Sequence, residues 1–173
     1  MRPHRGPDRA SPWVERFAPL VPPGPVLDLA CGAGRHSRLF LDRGHPVTAV
    51  DIDLSGMADL IGRPGFEAIA ADLEAGGPWP VGSRRFAGVV VTNYLHRPLF
   101  PAIFGSLAPG GLLIYETFAE GNERFGKPRN PDHLLKHGEL LEAVRGRLRV
   151  LAYEDLELTD PWPACVQRIV AVN

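Results

Sequence analysis

Apolar residues in this chain gather into short dense runs, and the polar stretches between them are rich in glycine and proline. Val26-Leu27, Val47-Thr48-Ala49-Val50, Phe66-Glu67-Ala68-Ile69-Ala70, Phe86-Ala87-Gly88-Val89-Val90-Val91 and Leu112-Leu113-Ile114-Tyr115 read as strands. Most lack alternation, the pattern of strands whose sheet is covered on both faces. Helical spacing lies between them. His36–Leu41 follows a glycine turn and is stopped by Gly44. Pro98–Leu107 sets Phe100, Ile103, Phe104 and Leu107 on one stripe, and Gly138–Arg145 does the same with Leu140, Leu141 and Val144. Ser11-Pro12-Trp13 reads as the cap and first turn of a short helix through Phe17, ended by Pro22-Pro23-Gly24-Pro25. Ser55 reads as the cap of another helix around Gly56–Ile61. Strands alternating with helices predict a doubly wound, Rossmann-like α/β sheet. The last two runs, Leu148–Leu158 and Val166–Val172, are joined only by Thr159-Asp160-Pro161-Trp162-Pro163. That link is too short for a parallel crossover, so they form an antiparallel hairpin.

Chemistry enters at the first strand. Val26-Leu27 runs straight into Asp28-Leu29-Ala30-Cys31-Gly32-Ala33-Gly34-Arg35, and a helical stretch follows. Glycines at such a turn permit positive φ and close approach of a ligand, and the helix start offers unpaired N–H groups. This is the setting of a nucleoside-cofactor site. A dinucleotide turn would carry a third glycine at position 37, which is Ser37. The second run ends in Asp51, where a carboxylate can accept from both hydroxyls of a ribose. Asp53 competes for that role, and Asp51 is preferred because it directly follows the apolar run. The third run ends in Asp72-Leu73.

The acid-x-Ala-x-Gly-x-Gly turn, the acids closing the next two strands and the turn Pro109-Gly110-Gly111 before the fifth strand resemble the class I S-adenosylmethionine-dependent methyltransferases. The resemblance covers residues 24–117 closely, with Ala30 standing where that family has its first glycine. It implies a seven-stranded sheet of order 3-2-1-4-5-7-6 with strand 7 antiparallel. It also implies S-adenosylmethionine as cofactor, held by Asp28, Ala30, Gly32, Gly34, Arg35, Asp51, Ile52, Asp72, Leu73, Thr92 and Asn93. Gly32 and Gly34 would face its methionine and ribose, and Asp28 would join a hydrogen-bond network near its amino group. Asp72 would accept from the adenine amino group, with Leu73 beside the ring.

Length and composition fit one domain over residues 1–173, with a leading segment and short helix over 1–23. A formal net charge of -1 gives no basic surface for nucleic acid. No apolar stretch is long enough to span a membrane, and the basic start Met1–Pro7 leads into no apolar core, so it is no secretory signal. Cys31 and Cys165 make no metal spacing and read as reduced thiols of a cytoplasmic protein.

Two segments are candidates for acceptor recognition. Asn93-Tyr94-Leu95-His96-Arg97 closes the fourth strand, at the edge where open α/β sheets place their ligand crevice. Asn93-Tyr94-Leu95-His96 is not the Asn/Asp-Pro-Pro-Tyr/Phe signature of many enzymes that methylate planar amines, so those acceptors are less favoured. The second segment, residues 118–132 after the fifth strand, is glycine-punctuated and without apolar period, as a lid would be. Arg97, Asn122, Arg124 and Arg129 are its and its neighbour's candidates for substrate binding. Where proton removal is needed, the candidate bases are His96, Tyr94, Glu116 and His133, in that order. The expected reaction is methyl transfer to a small-molecule acceptor. A nicotinamide-dependent oxidoreductase and a non-catalytic S-adenosylmethionine-binding subunit are the alternatives.

Overall fold

The computed structural model describes residues 9–173, so the start of the leading segment, including Met1–Pro7, lies outside it. Seven strands form one sheet: β1 (Val26–Leu29), β2 (Val47–Asp51), β3 (Phe66–Ala70), β4 (Phe86–Thr92), β5 (Leu107–Phe118), β6 (Arg149–Leu158) and β7 (Ala164–Val172). Their order is 3-2-1-4-5-7-6, the order the resemblance implied. β3-β2-β1-β4-β5 pair in parallel, and β7 runs antiparallel to both β5 and β6. β5 carries an irregularity at its start: its register against β4 jumps from Phe86↔Leu107 to Gly88↔Leu112, and Gly110 takes φ 75 inside the jump.

The unbroken apolar runs have a simple cause: successive side chains enter two different cores. Leu27, Leu29, Val89, Val91, Leu113 and Tyr115 pack on one face with helix residues Ile103, Phe104, Leu140 and Val144. Val26, Val47, Ala49, Val90, Leu112 and Ile114 pack on the other with Trp13, Val14, Phe40 and Leu41. The helices are α1 (Pro12–Phe17), α2 (Arg35–Asp42), α3 (Phe100–Gly105) and α4 (Glu139–Val144), so α1 and α2 cover one face and α3 and α4 the other. Ser11 caps α1 through its hydroxyl, which accepts from the Trp13 N–H at 3.2 Å.

Two local expectations change. Around Gly56–Ile61 there is no α-helix, only a single 3-10 turn over Ser55–Met57. Ser55 does not cap it with its side chain, and its own N–H donates to Asp53 Oδ1 at 2.9 Å. Glycines at 56 and 62 and Pro64 leave too little helix propensity there to nucleate more. The segment 118–132 is anchored, not free-standing. Ala119 N–H donates to Cys165 O, Glu120 N–H to Leu135 O, and Leu135 N–H back to Phe118 O. Asn122 is buried, its Oδ1 accepting from Cys165 N–H and its Nδ2 donating to Pro128 O.

Candidate functional site

Parallel strands bring their carboxyl ends to one edge, and the turn after β1 sits at its middle. Ala30 has φ 51, Gly32 φ 54 and Gly34 φ 77, so the backbone turns through three left-handed residues before α2. Gly32 and Gly34 need that conformation for different reasons. A Cβ on Gly34 would lie 2.8 Å from Met57 Cγ, so this glycine permits close packing beneath the turn. A Cβ on Gly32 would meet nothing within 4 Å, because the residue faces open space. Gly32 N–H donates to Asp51 Oδ2 at 2.8 Å, which fixes the carboxylate at the end of β2 against the turn. Asp53 lies on the exposed side and spends Oδ1 on Ser55 N–H.

A cavity of about 380 Å³ opens at this edge, lined by Ala30, Asp51, Ile52, Asp72 and Leu73 among others. A second cavity, of about 220 Å³, is lined by Asn93, Leu95, Thr117, Phe118, Pro128 and His133, and both share Glu74 and Tyr94. Carboxylates beside exposed and half-buried apolar side chains suit a ligand with a diol at one point and a flat ring at another. Asn93, with φ 54, holds the matching bend after β4.

Asp28 lies behind the turn and not in the cavity wall. It is buried and accepts from Ser37 Oγ at 2.7 Å, tying β1 to the first turn of α2. Burial lifts its carboxyl to about 6, against hydrogen bonds from Ser37 that pull the other way. Cys31 packs with its sulfur 3.6 Å from Met57 Sδ, and burial drives its thiol upward, so it stays protonated.

A methyltransferase-domain family model matches residues 3–168. The chain belongs to the class I S-adenosylmethionine-dependent methyltransferase family. Among its curated relatives, trans-aconitate 2-methyltransferase from Sinorhizobium medicae is 37% identical over 103 residues, covering 56% of this chain and 39% of the relative. Malonyl-[acyl-carrier protein] O-methyltransferase from Pseudescherichia vulneris is 32% identical over 107 residues, covering 58% of this chain and 41% of the relative. The chain thus spans well under half the length of these relatives. The fold is similar to that of 1,6-didemethyltoxoflavin-N1-methyltransferase from Burkholderia thailandensis, solved with 1,6-didemethyltoxoflavin and S-adenosylhomocysteine. The TM-score is 0.69 at 22% identity, covering 93% of this chain and 76% of that one.

The expected site residues separate into groups. Ala30, Asp51, Ile52, Asp72 and Leu73 meet in the first cavity, and Tyr94, Asn93 and His133 meet in the second. Gly34 and Asp28 support the turn from behind. Thr92 is half-buried with Oγ1 3.5 Å from His36 Nδ1, and Arg35 donates to Arg9 O at 3.2 Å. His96 begins the 3-10 turn over Arg97–Leu99, and its side chain lines neither cavity.

Glu116 lines neither cavity, and its carboxylate is committed elsewhere. It is 9% exposed, accepting from Ser11 Oγ at 2.6 Å and Arg168 Nη1 at 3.0 Å. Arg168 also reaches Glu154 at 2.7 Å and lies over the Trp13 ring. This network, with the Ser11 N–H donating to His36 Nε2 at 3.1 Å, fastens α1 to the sheet. The basic candidates are similarly engaged. Arg97 grips Glu139 and the carbonyls of Asp132 and Leu134. Arg124 pairs with Glu157 at 2.8 Å, and Asn122 serves the loop's own backbone contacts. Arg129 is exposed and lines neither cavity. Sequence reasoning missed Glu74 and Thr117, which line the second cavity, and His36, which has no signal short of its three-dimensional neighbours.

Proposed function

We propose that the protein transfers a methyl group from S-adenosylmethionine to a small-molecule acceptor, in a cytoplasmic setting that its two free buried cysteines suit. The observation that carries this reading is the pairing of the two cavities: one has acids placed for a nucleoside, and it adjoins a smaller one through Glu74 and Tyr94. The residues fit the cofactor. Asp51, already fixed by Gly32 N–H, has lone pairs left to accept from ribose hydroxyls, and Asp72 would accept from the adenine amino group. Ile52, 69% exposed, and Leu73 would flank the ring, and the open space above Gly32 leaves room for the ribose–methionine junction. Bound there, the cofactor supplies a methyl group already activated by sulfonium, which becomes a neutral thioether as the acceptor's lone pair takes the methyl.

The chain's own work is mainly placement, because the electrophile arrives activated. The second cavity seats the acceptor, with the bend at Asn93 and the wall at Phe118 and Pro128 limiting its size. Where the nucleophile must lose a proton, His133 is the imidazole that lines that cavity. Titration calorimetry tests the reading. S-adenosylmethionine and S-adenosylhomocysteine should bind, NAD should not, and Asp51→Ala should weaken binding by about 1.5–3 kcal/mol while Asp53→Ala changes it little. Tight NAD binding would overturn it. S-adenosylhomocysteine release on incubation with labelled cofactor and cell extract separates an enzyme from a silent binding subunit.

A further inference from the structure

Glu74 and Tyr94 line both cavities, so they stand where methyl donor and acceptor would meet. Tyr94 donates its hydroxyl to Glu74 Oε1 at 3.3 Å. Its own backbone is held from below, where the fully buried Tyr115 donates to Tyr94 O at 2.7 Å. Burial and the Glu74 carboxylate raise the Tyr94 hydroxyl above its ordinary value, so it remains a donor and does not act as a base.

The charges around this junction have one sign. Among the described residues, the charged or titratable groups lining the second cavity are Glu74, Tyr94 and His133; Asp51, Asp72, Glu74 and Tyr94 line the first. Among the described residues, no lysine or arginine lines either cavity. The nearby cations are occupied or outside: Arg97 is held by Glu139 and Arg124 by Glu157, while Lys127 and Arg129 flank Pro128 without entering the wall. With Asp51 and Asp72 assigned to ribose and adenine, Glu74 is the carboxylate left to face the acceptor.

We propose that Glu74, held by Tyr94, selects the acceptor by charge: a neutral or cationic small molecule presenting an N–H or O–H donor, and not a polycarboxylate. The inference rests on the methyltransferase reading of the site. A donor beside Glu74 gains a charge-assisted hydrogen bond, whereas an acceptor carboxylate would meet a like charge with no arginine or lysine among the described lining residues to offset it. The chain therefore differs in its expected acceptor from the relatives named for trans-aconitate, a tricarboxylate.

The test titrates the S-adenosylhomocysteine complex with histamine, catechol and trans-aconitate by calorimetry. At least one of histamine and catechol should bind at least about tenfold tighter than trans-aconitate. Glu74→Gln should bring that preference within about twofold, Glu74→Asp should keep most of it, and Tyr94→Phe should fall between. Glu74 is exposed and Tyr94→Phe keeps the half-buried ring, so these variants should fold, which circular dichroism checks. Tighter or equal binding of trans-aconitate, no binding by either donor probe, or a preference that survives Glu74→Gln would overturn the proposal. Failure of S-adenosylhomocysteine itself to bind in the first titration would instead overturn the methyltransferase reading beneath it.

Discussion

Gly32 and Gly34 sit two residues apart in the same turn, yet a methyl group would act on them through different physics. At Gly34 the added Cβ meets Met57 at 2.8 Å in a left-handed conformation, so Gly34→Ala should cost stability, about 2–4 kcal/mol in a urea melt. At Gly32 the space is open, so Gly32→Ala should cost only the backbone strain, about 1–2 kcal/mol, while removing most cofactor affinity. Loss of cofactor binding only in step with lost stability would show that Gly32 has no contact role. Asp28 and His36 give a second residue-scale test. Asp28 is lifted to about 6, so the folded state holds a proton that the unfolded chain has released, and stability falls as pH rises from about 4 to 6. His36, accepting from Ser11 N–H, is lowered by burial and Arg35 to about 3. Folding therefore expels its proton, and that stability is present above about 6.5 and lost as pH falls toward 3. Between roughly pH 4.5 and 5.5 the two slopes oppose. Relative to the parent protein, Asp28→Asn should then gain stability with rising pH by up to about 1.4 kcal/mol per unit, and His36→Gln should lose it at a similar rate. Parallel pH profiles for all three proteins would refute this.

Among the elements, the last part of the loop between β5 and α4 is gripped by one side chain from another part of the sheet's edge. Arg97 donates to Asp132 O, Leu134 O and Glu139 Oε2, each at 2.9 Å, joining the end of β4 to the start of α4. All three are charge-assisted and the two to Leu134 O and Glu139 are partly buried, so Arg97→Ala should destabilise the protein by about 2–3 kcal/mol. It should also raise amide exchange at Leu134–Glu139 before other regions; exchange that rises evenly across the chain would show that the clamp is not local. The same loop shows why the sequence misleads here. Residues 118–132 lack apolar period and carry polar side chains, which reads as a free lid, but Asn122 and Ala119 find their partners at Cys165 in β7. Glu116 fails for the same reason: its partners, Ser11 and Arg168, lie 105 and 52 residues away along the chain. Asp51 and Gly32 were legible because a strand end, a turn and a helix start are local events written in consecutive residues.

For the whole molecule, the strands themselves were readable because each is a dense apolar run feeding two cores, whereas their order came from the family resemblance. The second cavity was readable only in part: Asn93–Leu95, Phe118 and Pro128 lie in the two segments singled out, but the turn after β3 that adds Glu74 has no period to detect. Glu74 is an exposed residue in a turn, and nothing in its immediate sequence marks it. One feature of the edge acts across the entire protein. Ala30 and Asn93 close neighbouring strands in conformations that side chains resist, at φ 51 and φ 54, and the packed sheet beneath them keeps both bends in place. Glycine at position 30 would relax one of them. Variants selected only to survive heat would therefore be expected to take glycine at position 30, the residue that the family carries there.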